Sequence, residues 1–152
     1  MSGPFNGVRV LELTSTVSGP FAGMMLADQG AEVIKIEPPG IGDLARFMGT
    51  IKDGMGAMFS TLNRNKKCIC LDFKNEEDLS VLMQLVSTAD VLIENYRPGI
   101  VKKLGIDYEA LKEIKPDLIY CSISGYGQTG PYKEKKVYCL LYTSDAADEP
   151  VC

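Results

Sequence analysis

An α/β fold built on a mainly parallel sheet is predicted by three features of the chain. Apolar, partly β-branched runs of four to six residues recur, helical stretches separate them, and glycine or proline marks the junctions. With 152 residues, 45% hydrophobic and 24% charged, one globular domain with its own core is expected. Val8 to Leu13 reads Val-Arg-Val-Leu-Glu-Leu and has the character of a buried strand. A Ser/Thr-rich loop follows and ends at Gly19-Pro20, where Pro20 suits the first position of a helix because its missing N–H would be unpaired there. Phe21, Met24 and Met25 supply apolar residues at helical spacing, and Gly30 can close the helix in a left-handed conformation. Val33 to Ile36 is the second strand, and the helix before it predicts a right-handed parallel βαβ unit.

The next segment, with Pro38, Pro39, Gly40, Gly42, Gly54 and Gly56, is the least regular and leads to a short helix at Ala57–Leu62. Cys68 to Leu71 reads as a third strand. Asn75 caps a helix whose apolar stripe is Leu79, Leu82, Met83 and Val86. Val91 to Ile93 is the fourth strand. A short helix after Pro98 and another from Tyr108 to Ile114 lead to the fifth strand, Leu118 to Ile123. Ligands of such sheets bind beyond the carboxyl ends of the strands, here Thr14–Ser18, Glu37–Asp43, Asn95–Gly99 and Gly125–Tyr132.

Composition excludes several chemistries. The chain has no histidine, so serine–histidine and cysteine–histidine pairs cannot be built and zinc loses its commonest nitrogen ligand. A net charge of −4 argues against a nucleic-acid surface. The five cysteines are odd in number and lack CxxC spacing; Cys68 and Cys70 alternate with apolar residues as buried strand thiols would, and Cys121 reads the same way. A reducing, cytoplasmic compartment is the expectation, and no apolar run approaches membrane-spanning length. Met24, Met25 and Met83 read as core filler.

Gly125-Tyr-Gly-Gln-Thr-Gly130 matches GxGxxG, the spacing of a dinucleotide site. That fingerprint belongs between the first strand and a helix, whereas this one follows the fifth strand and precedes Pro131. A turn with glycines at positive φ, or a backbone-amide nest for an oxyanion, explains it as well.

A more specific pattern lies at the strand ends. Gly19-Pro20, Gly30-Ala-Glu-Val-Ile-Lys-Ile-Glu37 with Gly42-Asp43, Asn63-Arg-Asn-Lys66 with Leu71-Asp72, Glu94-Asn-Tyr-Arg-Pro-Gly99 and Ser124-Gly-Tyr-Gly-Gln-Thr-Gly-Pro131 occur in that order. Together they resemble the N-terminal part of the family III CoA-transferases, which share a fold with the 2-methylacyl-CoA racemases. The resemblance implies a Rossmann-like sheet with flanking helices, truncated here. It also implies an enzyme that moves CoA from an acyl-CoA to a free carboxylic acid. Coenzyme A or acyl-CoA is then a substrate, with no tightly bound cofactor and no metal, and the complete enzyme is an interlocked, cytoplasmic homodimer.

The resemblance places Ser15, Thr16, Val17 and Ser18 at the CoA thiol end. Adenine and phosphate contacts fall on Leu71, Lys74, Asn95, Tyr96, Arg97 and Lys103, with Lys136 near the pantetheine and Tyr138 in the same binding set. Some members carry glutamine at Val17 and arginine at Pro38; Arg46 could stand in for the latter. Tyr138 stands where the racemases have histidine, which favours transfer over racemisation. Lys74 and Lys103 read equally well as solvated charges beside helices, and Asn95 as a helix cap before Pro98-Gly99.

After Tyr138 the composition changes. All 16 basic residues precede position 137, whereas 137–152 contribute only the acids Asp145, Asp148 and Glu149. Residues 1–138 are read as part of the large transferase domain and 139–152 as a non-native tail resembling translated adapter DNA. The nucleophilic aspartate of the family is expected beyond this chain, so the 152 residues alone should offer part of a CoA pocket and no turnover. A racemase or isomerase of the same fold and a non-catalytic CoA-binding fragment are the alternatives.

Overall fold

The computed structural model describes residues 3–135. In chain order, β1 (Arg9–Leu13), α1 (Ser18–Asp28) and β2 (Glu32–Glu37) form the first crossover unit. A 3₁₀ turn at Leu44–Phe47 and a hairpin of β3 (Ile51–Lys52) and β4 (Met55–Gly56) precede α2 (Ala57–Leu62) and β5 (Lys66–Cys70). Then come α3 (Glu76–Val86), β6 (Val91–Glu94), α4 (Ile100–Lys103), α5 (Tyr108–Leu111) and β7 (Ile119–Ser122). The main sheet has the order β5-β2-β1-β6-β7 and every pairing in it is parallel. The chain winds outward from β1 to β5, then returns to add β6 on the other side of β1, so the two halves diverge between β1 and β6.

The five strands and their intervening helices fall in the segments the sequence predicts, except that β5 starts two residues before Cys68 and ends at Cys70, leaving Leu71 outside it. The hairpin and the 3₁₀ turn are additions; both fall in the Pro/Gly-rich segment, where no apolar period marks them. Helix α1 begins two residues before Pro20, and its first i→i−4 bond runs from Phe21 N to Val17 O. Proline is tolerated there because no N–H in this first turn has an intrahelical partner. Gly30 closes the helix at φ +101°, with Gly30 N donating to Ala27 O and Ala31 N to Leu26 O, the paired bonds of a Schellman motif. Helix α5 stops at Leu111, short of Ile114, with Pro116 following a further turn.

The sheet buries both faces. Leu11, Leu13, Ile34, Ile36 and Leu92 pack beneath Leu82 and Val86 of α3 and Leu111 of α5. On the other face Val10, Val33 and Ile93 meet Ala27 of α1 and Ala31 just after it. Here α1 differs from expectation. Phe21 and Met25 are about half exposed, and the buried side of the helix is Gly19, Pro20, Gly23, Met24 and Ala27. The reason lies beneath it: strand register pairs Glu12 with Lys35 on this face, and small residues let the helix backbone descend onto that pair. The cysteine expectation also fails. Cys68, Cys70 and Cys121 are exposed, because β5 and β7 are the sheet's two edge strands.

A Cβ added at Gly23 would lie 2.0 Å from Glu12 Oε2, an atom that cannot swing aside because the Glu12 side chain is fully buried. Alanine normally improves a helix interior by about 1 kcal/mol over glycine, while overpacking costs about 1–3 kcal/mol. Gly23→Ala should therefore lower stability by up to about 2 kcal/mol, read from the midpoint of urea unfolding. A raised midpoint would show that Glu12 gives way.

Candidate functional site

The carboxyl ends of β1, β2 and β6 open into a cleft of about 290 Å³ whose walls include Ser15, Glu37, Asp43, Asn95, Tyr96 and Arg97. It sits at the switch point of the sheet, where the loops after β1 and β6 part in opposite directions and leave a crevice. Asn95 spans that gap. Its Oδ1 accepts from Ser15 N at 3.0 Å and its Nδ2 donates to Ser15 O at 2.9 Å, a two-bond clamp between the halves of the sheet.

Beneath the cleft lies a buried ionic network. Lys35 Nζ, fully buried, contacts Glu12 Oε1 at 3.0 Å and Asp43 Oδ2 at 2.9 Å, and donates to Thr14 O at 2.8 Å. Glu12 Oε2 meets Lys66 Nζ at 2.6 Å, which in turn donates to Asn63 Oδ1 and Pro20 O. Asp43 then reaches the loop after β1: its Oδ1 accepts from Ser15 Oγ at 3.0 Å, from Thr16 N at 2.9 Å and from Ala45 N at 2.9 Å. Thr16 is held at φ +73°, a region that costs a β-branched residue free energy and needs such support. Burial alone would raise the Asp43 carboxyl, but the Lys35 ammonium and the Ala45 and Thr16 amides outweigh it and hold its pKa below 3.8. Glu37 behaves alike. Burial opposes its ionisation, and Arg46, the Asp43 amide and Lys35 pull its pKa below 4.5.

The structure brings Ser15, Asn95, Tyr96 and Arg97 together at the cleft. Thr16 completes the loop, Val17 precedes α1, and Ser18 opens the helix, the last two exposed. Asn95 Nδ2 lies 3.5 Å from Ser18 Oγ and donates to it, which leaves the Ser18 hydroxyl proton for a ligand. Leu71 lies apart: it is a core residue, and its N–H donates to Glu37 O. Lys74 and Lys103 are exposed, after β5 and at the end of α4. Among the described residues, neither lysine nor Arg97 is in an ion pair. Arg46 does not stand free for a phosphate. Its fork closes on both Glu37 oxygens at 2.8 and 2.7 Å, and its guanidinium stacks 3.7 Å over the Phe59 ring.

Lys136, Tyr138 and the segment 139–152 lie outside the described residues. The GxGxxG spacing resolves as bends after β7, with Gly127 at φ +79° and Gly130 at +86° and no helix through residue 135, as a turn and not a dinucleotide fingerprint requires. Sequence reasoning missed Glu12, Lys35, Asp43 and Lys66 as parts of the site. The available signal was a pair of opposite charges inside two otherwise apolar central strands, which can be buried only if they meet.

A doubly wound parallel sheet with a cleft at its switch point defines an α/β ligand-binding domain. The chain belongs to CoA-transferase family III, whose profile matches residues 5–146. It is 47% identical over 136 residues to the acetyl-CoA:oxalate CoA-transferase of Acetobacter aceti, a match covering 90% of this chain and 35% of that protein. Against the human succinyl-CoA:glutarate CoA-transferase it is 45% identical over 136 residues, covering 89% and 31% respectively. A crystal structure of a CAIB/BAIF family protein from Brucella suis superposes with a TM-score of 0.88 at 42% identity, over 97% of this chain and 40% of that one. Rv3272 from Mycobacterium tuberculosis gives 0.87 at 35% identity, over 99% and 43%. The chain thus spans about a third of the length of the two enzymes named first.

Asp43→Ala should cost about 3–5 kcal/mol at neutral pH, because it leaves Lys35 buried with one fewer carboxylate and strips the support from Thr16. Asp43→Asn, which keeps an acceptor oxygen, should cost less. The depressed Asp43 pKa contributes stability that is fully present above its ordinary value of 3.8 and lost as pH falls through the lower folded value. Urea midpoints compared at pH 7 and pH 3 should therefore show a smaller acid loss in Asp43→Ala than in the parent. Equal acid losses would mean that the fold does not lower the Asp43 pKa.

Proposed function

We propose that the cleft binds the CoA portion of an acyl-CoA and that the complete enzyme passes CoA from that thioester to a free carboxylic acid. The observation that carries this reading is the placement of Asn95, Tyr96 and Arg97 at the switch-point cleft in a chain of this family. CoA carries several phosphate charges on a long, partly apolar arm. Arg97 at the cleft lip and the exposed Lys74 and Lys103 on flanking elements supply cations for the former. The cleft floor is made of acids already neutralised by Lys35 and Arg46, so it does not repel the ligand.

At the thiol end, the Ser15 and Thr16 amides and the Ser15 hydroxyl are spent on Asn95 and Asp43. Val17 has no side-chain donor. The hydroxyls of Thr16, with one long contact to Ser15 Oγ, and of Ser18 can turn to a ligand. In the reaction read here, an enzyme carboxylate attacks the thioester carbonyl, the C–S bond breaks, CoA leaves as thiolate and the acyl group is held as a mixed anhydride. That carboxylate is none of Glu12, Glu37 and Asp43, each of which is held by a buried cation or an arginine fork. The acetyl-CoA:oxalate and succinyl-CoA:glutarate CoA-transferases named above each carry a dicarboxylic acid in their names, which makes a small dicarboxylate the first acceptor to try.

The test is calorimetric titration of CoA into the 152-residue chain and into a Lys74→Ala, Arg97→Ala, Lys103→Ala triple variant. Charge-assisted contacts contribute about 1.5–3 kcal/mol each when well formed, and exposed ones less, so the triple variant should bind about a hundredfold more weakly. The parent should also lose affinity between 50 and 200 mM salt, as screening requires. Equal affinities for parent and variant would remove the phosphate assignments, and absence of binding by the parent would remove the reading of the cleft.

A further inference from the structure

Glu94 ends β6 with 1% of its surface exposed, and among the described residues it is the one buried carboxylate with no cationic partner. Glu12 has Lys35 and Lys66, Asp43 has Lys35, and Glu37 has Arg46. A buried carboxylate without a cation is an expensive way to fill a core position, so what its two oxygens hold is informative. Oε2 accepts from Tyr96 N at 2.8 Å, and Tyr96 belongs to the cleft lip. Oε1 accepts from the hydroxyl of Ser122, the residue paired with Glu94 across β6 and β7. The same Ser122 Oγ accepts from Gln128 Nε2 at 2.7 Å, and Gln128 lies inside the glycine-rich segment 125–130. Gln128 Nε2 also lies 3.5 Å from Ser124 Oγ.

Donors approach Glu94 from two sides. The amide of Gln128 gives to the Ser122 hydroxyl, the hydroxyl gives to the carboxylate, and the Tyr96 amide gives to the carboxylate from the opposite side. Both Glu94 oxygens are thus engaged, one toward the lip and one toward the strand that leads into the glycine-rich segment. Burial pushes the Glu94 pKa up, and the Ser122 and Tyr96 bonds oppose that rise in part.

We propose that Glu94 is a positioning residue that ties the glycine-rich segment after β7 to the Asn95–Arg97 lip, making that segment a second wall of the CoA site. The assignment to CoA rests on the reading of the cleft given above; the tie between the two loops does not. It gives the Gly125–Gly130 segment a role unrelated to dinucleotides: its glycines supply the turns, and Gln128 is the point at which they are anchored.

The experiment compares Gln128→Ala, Ser122→Ala and Glu94→Ala with the parent chain, by amide hydrogen exchange without ligand and by CoA titration. Gln128→Ala and Ser122→Ala should speed exchange several-fold across residues 125–130 and leave the Tyr96 amide protected. Glu94→Ala should speed exchange at the Tyr96 amide and in the loop together. CoA affinity should fall about tenfold in Gln128→Ala with its melting temperature unchanged, a split that a merely structural hydrogen bond on an exposed side chain would not produce. Parent-like exchange in residues 125–130 of both Gln128→Ala and Ser122→Ala overturns the tie. Parent-like CoA affinity with a loosened loop overturns its role in the site. If Glu94→Ala fails to fold, the two outer variants still decide both points. A parent that takes no CoA removes the assignment to CoA, and the exchange measurements then judge the tie by itself.

Discussion

The contact between Lys35 and Glu12 fixes most of what surrounds it. The two residues face each other because β1 and β2 pair in one register, and a slip of one strand by a single residue would turn its charge away from the partner onto the face that holds Leu11, Leu13, Ile34 and Ile36. Ion pairs of this kind are often no better for stability than well-packed hydrophobes, since desolvation offsets most of their attraction. What this one provides is placement. Lys35 has contacts for three partners, and two of them, Asp43 and the carbonyl of Thr14, lie in the loops that form the cleft. The buried ammonium thereby couples the loop after β2 to the loop after β1. Asp43 passes that constraint on to Ser15 and Thr16, whose left-handed backbone would otherwise relax.

The same pair explains the helix above it. A conventional amphipathic helix would have presented Phe21 and Met25 to the sheet, but large side chains cannot sit over a buried salt bridge without burying polar groups away from their partners. Glycines at positions 19 and 23 allow the helix backbone to close over the charges. Lys66 enters from β5, with its ammonium reaching both Glu12 and the carbonyl of Pro20 in the first turn of the helix. One polar cluster thus sets strand register, helix approach and loop geometry at once.

How much of this could be read from the chain follows from the kind of information each feature carries. The strands β1, β2 and β6 announce themselves as apolar runs, and α3 through Asn75 and its stripe, because burial and capping act on neighbours in sequence. The position of Asn95 and Arg97 at a strand's carboxyl end was equally legible. The orientation of α1 was not. It depends on which charges lie beneath the helix, and that is a fact about strand pairing. The exposure of Cys68, Cys70 and Cys121 was hidden for a related reason: an edge strand and an interior strand can share one apolar pattern, and their order in the sheet decides which is which. Arg46 looked available in sequence and is committed in space, since Glu37, nine residues before it, takes its whole fork.

The distribution of charge gives the site its character. Acids predominate near the cleft floor, yet Glu12, Glu37 and Asp43 are each matched by a cation within 3.0 Å, so the floor is electrostatically quiet. Arg97 lines the cleft outside these pairs, and the exposed Lys74 and Lys103 lie on two other segments, also outside them. Among the described residues the buried carboxylate without a cation is Glu94, beneath the lip, and its oxygens are taken by Tyr96 N and the Ser122 hydroxyl instead. The cleft thus sets one exposed cation, Arg97, above acids that are already paired. Had the acids been left open, the same cleft would have repelled an anion and favoured a cation.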